Sequence, residues 1–204
     1  MANRFFAWLF KRIGARNEAR GGAALRRELL AGARGRVLEV GAGTGLNFPH
    51  YPPGVDLTAV EPEPTLRAEA AKSGVPVLDA RADRLPLPDG SVDEVVVSGV
   101  LCSVPDQAAA LAEFRRVLRP GGRLRFYEHV RARSPLRARW QDLAALVWPR
   151  LMGGCLPNRE TRTAIEAAGF VVSHCRELIF PPGAKVSVVA PRIVGIAQKG
   201  PNQP

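Results

Sequence analysis

The sequence predicts an open α/β fold in which a mostly parallel, seven-stranded sheet carries helices on both faces. Two observations lead to this prediction. Short apolar runs alternate with helical segments from residue 36 onwards, and the first of these runs ends in a turn rich in glycine. Strands that alternate with helices form parallel sheets with both faces covered. A length of 204 residues suits one domain with one substantial core.

The order of strands and helices follows from the apolar runs and from the residues that interrupt them. The predicted strands cover residues 37–40, 57–60, 76–78, 92–97 and 124–130, with closing strands at 170–173 and at 186–190 continuing through 193–197. The predicted helices cover residues 64–72, 107–118, 136–147 and 159–168. Residues 36–199 therefore form one domain, and the segment 131–160, which interrupts the regular alternation, is predicted to shape a substrate site.

Residues 1–35 are predicted to form an amphipathic helical segment, with a second helix over residues 23–30. Apolar and basic residues recur at helical spacing on different sides. The apolar side holds Phe6, Leu9, Phe10 and Ile13, and the basic side holds Lys11, Arg12 and Arg16. Such a helix can pack on the domain, cover a substrate as a lid, or make a peripheral contact with a membrane surface.

The formal net charge of +10 raises the question of a polyanionic partner. Nearly all of the positive charge is arginine, which is spread along the chain and is dense only in the first 36 residues. No nucleic-acid-binding motif accompanies it. We therefore expect a basic, solvated surface and no specific nucleic-acid partner.

The three cysteines, Cys102, Cys155 and Cys175, bear on compartment and on metal binding. Their odd number argues against a disulfide framework and favours a reducing cytoplasm. They form neither a CxxC pair nor a zinc-ligand spacing, so the sequence predicts no metal site. The apolar stretch at residues 5–10 is far shorter than the roughly 20 residues that span a bilayer. No signal-peptide cleavage pattern follows it.

The main functional signal is the turn after the first strand, Glu39-Val40-Gly41-Ala42-Gly43-Thr44-Gly45. Closely spaced glycines let the backbone turn sharply and approach a ligand without clashes from Cβ atoms. The turn lies at the carboxyl end of a strand, where open α/β sheets bind cofactors. Its spacing is GxGxG, whereas the dinucleotide fingerprint is GxGxxG, so nicotinamide and flavin cofactors are disfavoured.

Two further elements support a cofactor site. Glu61 ends the second strand, where its carboxylate can accept hydrogen bonds from a ribose diol. The alternative is a solvated helix-capping acid before Pro62. The loop 80–93 after the third strand could present a backbone amide and a carboxylate to an adenine edge.

Residues 38–45 (LEVGAGTG), Glu61, residues 85–93 (LPLPDGSVD) and residues 118–122 (LRPGG), in this order, resemble the class I S-adenosylmethionine-dependent methyltransferases of the ubiquinone-biosynthesis type. The resemblance implies a Rossmann-like fold and S-adenosylmethionine as the cofactor. Many relatives carry an aspartate at the position of Arg81, so the adenine contact is assigned here to Ala82 and Asp83. The implied cofactor-binding set is Glu39, Gly41, Ala42, Gly43, Gly45, Asn47, Glu61, Pro62, Ala82, Asp83, Ser98 and Leu101.

A closer resemblance covers most of residues 37–199. Its motifs are NFPHYPPG at 47–54, VLCSV at 100–104, EHV at 128–130, WQ at 140–141 and GC at 154–155 before RET at 159–161. They are similar to the methyltransferase-like 7 group, whose members include thiol S-methyltransferases. The resemblance implies a small-molecule acceptor, with a thiol first and a quinone-type or phospholipid acceptor second. Those relatives carry a long apolar amino-terminal anchor, which this sequence lacks, so membrane residence is not implied.

Methyl transfer from a sulfonium is an in-line displacement that depends mainly on positioning. A thiol acceptor must also lose its proton, because the thiolate is the nucleophile. The candidate catalytic residues are His129 and its neighbour Glu128 at the end of the fifth strand, with His129 expected to accept that proton or to orient the acceptor. The alternative is a packed histidine that donates to a backbone carbonyl.

Other residues have less specific predicted roles. His50 and Tyr51 could cover the cofactor, and His174 is predicted to be structural. Cys102 is expected to be a buried, small hydrophobe. Trp140, Trp148 and Phe180 could line an apolar acceptor pocket or belong to the core.

Two other functional classes stay open, a basic RNA-modifying enzyme and a binding module without turnover. Residues 98–101 read Ser-Gly-Val-Leu and lack the Pro-Pro-aromatic signature of many DNA amino methyltransferases.

Overall fold

The computed structural model describes residues 4–184 and 186–201, with side chains from residue 11 onwards. The helices are α1 (Arg4–Asn17), α2 (Ala23–Leu30), α3 (Pro64–Ala70), α4 (Gln107–Val117), α5 (Pro135–Ala144), α6 (Trp148–Leu151) and α7 (Thr161–Ala167). The strands are β1 (Arg36–Val40), β2 (Asp56–Val60), β3 (Val77–Leu78), β4 (Val92–Ser98), β5 (Leu118–His129), β6 (Phe170–Ile179) and β7 (Pro191–Lys199).

The strands form one sheet in the order β3-β2-β1-β4-β5-β7-β6. The first five strands pair in parallel, and β7 pairs antiparallel with both β5 and β6. The predicted mostly parallel sheet of seven strands is confirmed. The strand order reverses between β1 and β4, and such a reversal opens a crevice at the carboxyl ends of the strands.

Alternate residues of each strand face opposite sides of the sheet, and each side has its own apolar core. On one side Leu38, Val95 and Phe126 belong to a cluster with Phe114 of α4 and Ile165 of α7. On the other side lies a second cluster, which contains Val37, Val96, Tyr127 and Val194 together with Leu25, Leu29 and Leu30 of α2. The helices therefore cover both faces, as the sequence predicts.

A buried ion pair joins the second face to the amino-terminal helices. Arg125 of β5 and Glu94 of β4 are hydrogen-bonded, and their side chains are only 2% and 3% exposed. Arg125 also donates to the carbonyl oxygens of Leu29 (3.0 Å) and Ala31 (2.9 Å) at the end of α2. One guanidinium thus provides hydrogen bonds both to a buried carboxylate and to carbonyl oxygens at the end of a helix.

The amino-terminal segment forms the two predicted helices. A π-helical turn joins α1 to α2, with a kink at Gly21, whose φ of 104° favours glycine. Ile13 is half-buried and Lys11 is exposed, and Lys11 pairs with Glu69 of α3. The side chains of Phe6, Leu9 and Phe10, which complete the predicted apolar side, lie outside the described residues.

The carboxyl-terminal hairpin departs from the sequence prediction. Residues 186–190 are not a strand: the chain is irregular there, with Val186 85% exposed, and β7 begins at Pro191. Strand β6 continues six residues beyond the predicted end at Ser173. It is an edge strand with a mixed burial pattern, so its polar residues obscured the apolar signal used for prediction.

Candidate active site

A cavity of about 340 Å³ opens at the carboxyl ends of β1, β4 and β5, at the reversal of the strand order. This volume falls within the range of small-molecule sites. Eight predicted site residues line it: Glu39, Gly41, Ala42, Gly43, Asn47, Ser98, Glu128 and His129.

The glycine turn after β1 forms one wall of the cavity. Gly41, Gly43 and Gly45 have φ values of 68°, 57° and 80°, a conformation that favours glycine. A Cβ atom on Gly41 would lie 2.5 Å from Cγ2 of Val100. The turn is held by hydrogen bonds of 2.8 and 3.1 Å that the Gly41 and Ala42 amides donate to the Val60 carbonyl of β2. The absence of a side chain at Gly41 thus makes room for Val100. Gly41, Ala42 and Gly43 line the cavity, where a backbone of small residues suits the close approach of a cofactor.

Glu39, a member of the predicted cofactor-binding set, is a buried acid near the end of β1. Its carboxylate accepts hydrogen bonds from Asn47 Nδ2 (3.0 Å) and from the Tyr51 hydroxyl (2.7 Å). Burial raises the pKa of Glu39 to about 7, although both hydrogen bonds act in the opposite direction. The group can therefore gain or lose a proton near neutral pH.

Glu61 lies at the end of β2, and its two carboxylate oxygens have different partners. One accepts the Gly43 amide at 2.8 Å, and the other accepts the Glu63 amide at 2.9 Å. Burial raises the pKa of Glu61, while these two hydrogen bonds lower it. The acid is therefore tied directly to the glycine turn. The helix-capping role belongs to Glu63, whose side chain accepts the Leu66 amide at the start of α3.

The other predicted cofactor-binding residues do not line the cavity. They are Gly45, Glu61, Pro62, Ala82, Asp83 and Leu101. Pro62 is exposed, and Asp83 pairs with Arg81 at 3.0 Å, an arrangement that lowers the pKa of Asp83. Ala82 is buried. The Leu101 side chain is fully buried in the core. Its amide donates to Glu128 at 3.0 Å, and its carbonyl oxygen accepts from Gln107 and Arg159, so its backbone polar groups are already engaged within the protein.

Glu128 is buried at the end of β5 and holds the loop that follows β4. One carboxylate oxygen accepts the amides of Val100 (2.9 Å) and Leu101 (3.0 Å), and the other accepts the Cys102 amide (3.1 Å). Burial raises the pKa of Glu128, and the three amide hydrogen bonds partly offset this. The geometry is that of a positioning residue, because the buried carboxylate already accepts three backbone amides of one loop.

His129 contacts two cysteines from other parts of the chain. Its Nδ1 lies 3.2 Å from Cys102 Sγ and 3.4 Å from Cys155 Sγ, and the two sulfurs are 3.7 Å apart. Contact between the thiols raises the pKa of Cys102 and lowers that of Cys155. The pair therefore loses its first proton more readily, and its second less readily, than an isolated cysteine loses its proton. The sequence gives no signal for the role of Cys155, because the three residues meet only through the fold.

Several cavity residues come from outside the predicted cofactor set. Ile13 and Asn17 of α1 line the cavity, and so does Arg26 of α2. Arg26 donates to Glu18 at 2.7 Å and to Asn47 at 2.6 Å. The arginine-rich composition of the segment did not single out Arg26, which differs from its neighbours only in where α2 places it.

Four apolar or sulfur-containing side chains also line the cavity, those of Trp148, Met152, Cys155 and Phe180. The polar side chains of Ser103, Ser187 and Arg192 line it as well. Trp140 does not contribute: it is 52% exposed and donates to the Val186 carbonyl at 3.3 Å. Its assignment as a possible pocket residue is therefore wrong for this cavity.

Two histidines lie away from the cavity. His50 is 4.0 Å from Glu18 and is not a cavity-lining residue. His174, on edge strand β6, is exposed.

The sheet order and the glycine-lined crevice of this chain are those of the class I S-adenosylmethionine-dependent methyltransferases. Residues 38–126 match the family model of the methyltransferase domain. A solved S-adenosylmethionine-dependent methyltransferase from Thermotoga maritima is 24% identical, with a TM-score of 0.66 over 93% of this chain and 98% of that chain.

Two human relatives are closer in sequence. Thiol S-methyltransferase TMT1B is 40% identical over 83% of this chain and 74% of its own length. Thiol S-methyltransferase TMT1A is 38% identical over 87% of this chain and 79% of its own length. This chain belongs to the same S-adenosylmethionine-dependent methyltransferase family, as the sequence predicts.

Within residues 4–184 and 186–201, no helix has both the length and the apolarity required to cross a membrane.

Proposed function

We propose that this enzyme transfers the methyl group of S-adenosylmethionine to the sulfur of a small thiol. The observation that carries the proposal is one cavity that is lined both by the glycine turn with Glu39 and by Trp148, Met152, Cys155 and Phe180. The glycine turn and the carboxylate suit the cofactor. The second group suits a small apolar acceptor, because apolar and thioether side chains favour contact with such a molecule. The thiol activity named for the two human relatives supports the same acceptor class.

The cofactor-binding roles divide along the crevice. Glu39, Gly41, Ala42, Gly43 and Asn47 are proposed to hold the methionine portion, with Gly45 completing the turn. Glu61 and Pro62 are proposed to hold the ribose, and Ala82 and Asp83 to meet the adenine. Ser98 and the backbone of Leu101 are proposed to border the methyl group. Bound S-adenosylmethionine supplies an electrophilic methyl carbon.

Methylation of a thiol requires a group that removes the proton from the acceptor sulfur, and His129 is the candidate for this role. Ordinary thiols are mostly protonated near neutral pH, and the thiolate is the nucleophile. We propose that His129 accepts the thiol proton at the acceptor end of the cavity. The thiolate sulfur then forms a bond to the methyl carbon, and the electron pair of the broken bond stays on the sulfur of S-adenosylhomocysteine. Glu128 acts as a positioning residue through the loop after β4, because both of its oxygens accept backbone amides.

The segments 1–35 and 131–160 are proposed to control access to the acceptor. Ile13 and Asn17 from the first segment, and Trp148 and Met152 from the second, border the cavity. Residues 1–35 thus act as a lid. A cytoplasmic location is proposed on the basis of three free cysteines, which a reducing compartment would preserve. A peripheral membrane contact through the basic helix α1 is the alternative role of the first segment.

The acceptor class is tested by transfer of an isotope-labelled methyl group to benzenethiol, with phenol and aniline as acceptors of the same shape. We expect labelled product from the thiol alone. The same assay includes bulk RNA, a hydroquinone and phosphatidylethanolamine vesicles. Label in one of these and none in thiols would overturn the acceptor proposal. Absence of any affinity for S-adenosylmethionine would indicate a binding module of another kind.

A further inference from the structure

The acceptor end of the cavity holds a cluster of three groups that are all good ligands for soft metal ions. Cys102, His129 and Cys155 each offer one ligand atom, and these atoms lie within 4.8 Å of one another. Cys102 and Cys155 are buried. Of the three residues, His129 and Cys155 border the cavity. Two thiolates and one imidazole are a typical protein ligand set for catalytic zinc with one open position.

The distances within the cluster agree with one tetrahedral centre. Zinc–sulfur and zinc–nitrogen bonds of about 2.3 and 2.1 Å place two sulfurs about 3.8 Å apart, and sulfur and nitrogen about 3.6 Å apart. The two sulfurs are 3.7 Å apart, and Nδ1 of His129 is 3.2 and 3.4 Å from them. A small adjustment of the imidazole is sufficient to admit the ion.

The backbone fixes two of the three ligands before any ion arrives. The Glu128 carboxylate accepts the Cys102 amide, and the Cys102 carbonyl accepts the Leu156 amide at 2.8 Å. Gly154 has a φ of +86°, and a Cβ atom there would lie 2.8 Å from the Ser103 carbonyl oxygen. The loop that carries Cys155 therefore packs directly on the loop that carries Cys102. Such supporting hydrogen bonds are typical of metal sites.

We propose that Cys102, His129 and Cys155 bind a thiophilic divalent cation, zinc above all, and leave its fourth coordination position open to the cavity. The two thiolates balance the charge of the ion, so the buried site becomes neutral when the ion binds. Because His129 and Cys155 line the cavity, the fourth ligand comes from there.

A consequence for the acceptor rests on the proposed function. The sulfur of a thiol acceptor would occupy the open position as a thiolate, because a bound divalent cation strongly favours loss of a proton from a coordinated ligand. With the ion bound, the acceptor proton is released as the sulfur coordinates. In the metal-free enzyme, His129 accepts it.

The metal site is tested with cobalt(II) added to the reduced, chelator-treated full chain. We expect one equivalent to bind with a thiolate-to-cobalt charge-transfer band and the intense visible bands of tetrahedral cobalt, and zinc to abolish both. C102S and C155S should each weaken cobalt binding at least about 100-fold. C175S, which removes the cysteine of edge strand β6, is the matched control and should bind as wild type does. Absence of the charge-transfer band in wild type, or its persistence in both serine variants, would overturn the proposal.

A second measurement needs no variant and so does not depend on how the serine variants fold. Zinc should protect Cys155 of the wild-type chain, which borders the cavity, from a small alkylating reagent and leave Cys175 reactive, as resolved by peptide mass. Alkylation of Cys155 at the same rate with and without zinc contradicts the site.

The link to the acceptor has its own measurement. Benzenethiol should shift the charge-transfer band of the cobalt enzyme, whereas phenol should not. An unchanged spectrum would refute the open position for the acceptor. Methyl transfer by the zinc-free enzyme is measured in parallel, so that failure of the metal site and failure of the thiol activity are distinguished.

Discussion

Tyr51 donates a hydrogen bond of 2.7 Å from its hydroxyl to the buried carboxylate of Glu39, at the carboxyl end of β1. Burial raises the pKa of this carboxyl to about 7, so it is divided between its neutral and ionised forms near neutral pH. In the absence of a ligand, the group stabilises the folded state below its ordinary pKa of 4.5. This contribution is lost as the pH rises through about 7.

We predict that binding of S-adenosylmethionine releases a proton from Glu39. The cationic cofactor favours the ionised carboxylate, so about half a proton should be released near pH 7. Calorimetric titration in two buffers with different ionisation enthalpies measures this release. Tyr51→Phe removes a hydrogen bond that lowers the pKa and should move the release to higher pH. Glu39→Gln should abolish it, and equal observed enthalpies for wild type in the two buffers would contradict the prediction.

Glu61→Ala should weaken the binding of S-adenosylhomocysteine by about 1–3 kcal/mol, because a buried carboxylate loses its hydrogen bonds to the ligand. Glu61 also accepts the Gly43 amide, so part of the loss could come from the glycine turn. Titration with the 2′-deoxyribose analogue separates the two effects. If Glu61 binds the ribose, the substitution should cost less affinity for the analogue. Equal losses for both ligands would assign Glu61 to the turn alone. Glu63→Ala, which removes the cap of α3, is the control and should lower stability and leave affinity nearly unchanged.

His129→Ala should lower turnover with an alkyl thiol, which is mostly protonated near neutral pH, about 100-fold or more, because it removes the proposed proton acceptor. Its effect on the dissociation constant of S-adenosylmethionine should be several-fold at most. Single-turnover rates and calorimetry measure the two quantities separately. Turnover that stays at the wild-type level would return His129 to a packing role. His174→Ala, on the exposed edge strand, is the matched control.

Arg125→Met should destabilise the protein by about 3–5 kcal/mol, because it leaves the buried Glu94 carboxylate without its hydrogen-bonded partner and with only the half-exposed Arg123 at 4.0 Å. The free energy of unfolding is measured by urea denaturation. The double variant with Glu94→Leu should recover much of this loss, because it removes the unpaired charge. Additive losses in the double variant would show that the hydrogen bonds from Arg125 to the end of α2 dominate.

Arg26→Ala should loosen the amino-terminal segment from the crevice. The side chain of Arg26 connects Glu18 to Asn47, which borders the cavity. We expect faster proteolysis within residues 1–35 and a higher KM for the acceptor. Arg27→Ala, at an exposed neighbour, should behave as wild type does. Unchanged proteolysis of the Arg26 variant would refute the lid.

The parts of the site that local sequence predicts are those built from contiguous residues. The GxGxG turn identifies the bend after β1, because only glycine adopts its three positive φ values without strain. Glu61 is predictable because it ends an apolar run that forms the neighbouring strand.

Other features depend on tertiary contacts that no local pattern reveals. Cys102, His129 and Cys155 are separated by 27 and 26 positions and meet only when β4, β5 and the loop after α6 come together. Likewise, the apolar residues at 186–190 suggested a strand, whereas the chain there borders the cavity with Ser187 and Val189.

The position of β7 in the sheet bears on how the protein is made. Strand β7 is inserted between β5 and β6, so β6 has no hydrogen-bonded neighbour in the sheet until residues 191–199 have left the ribosome. The glycine turn and the strands around it, by contrast, come from residues 36–98. A nascent chain can therefore assemble its cofactor cradle early, but it must wait for β7 before the sheet is complete.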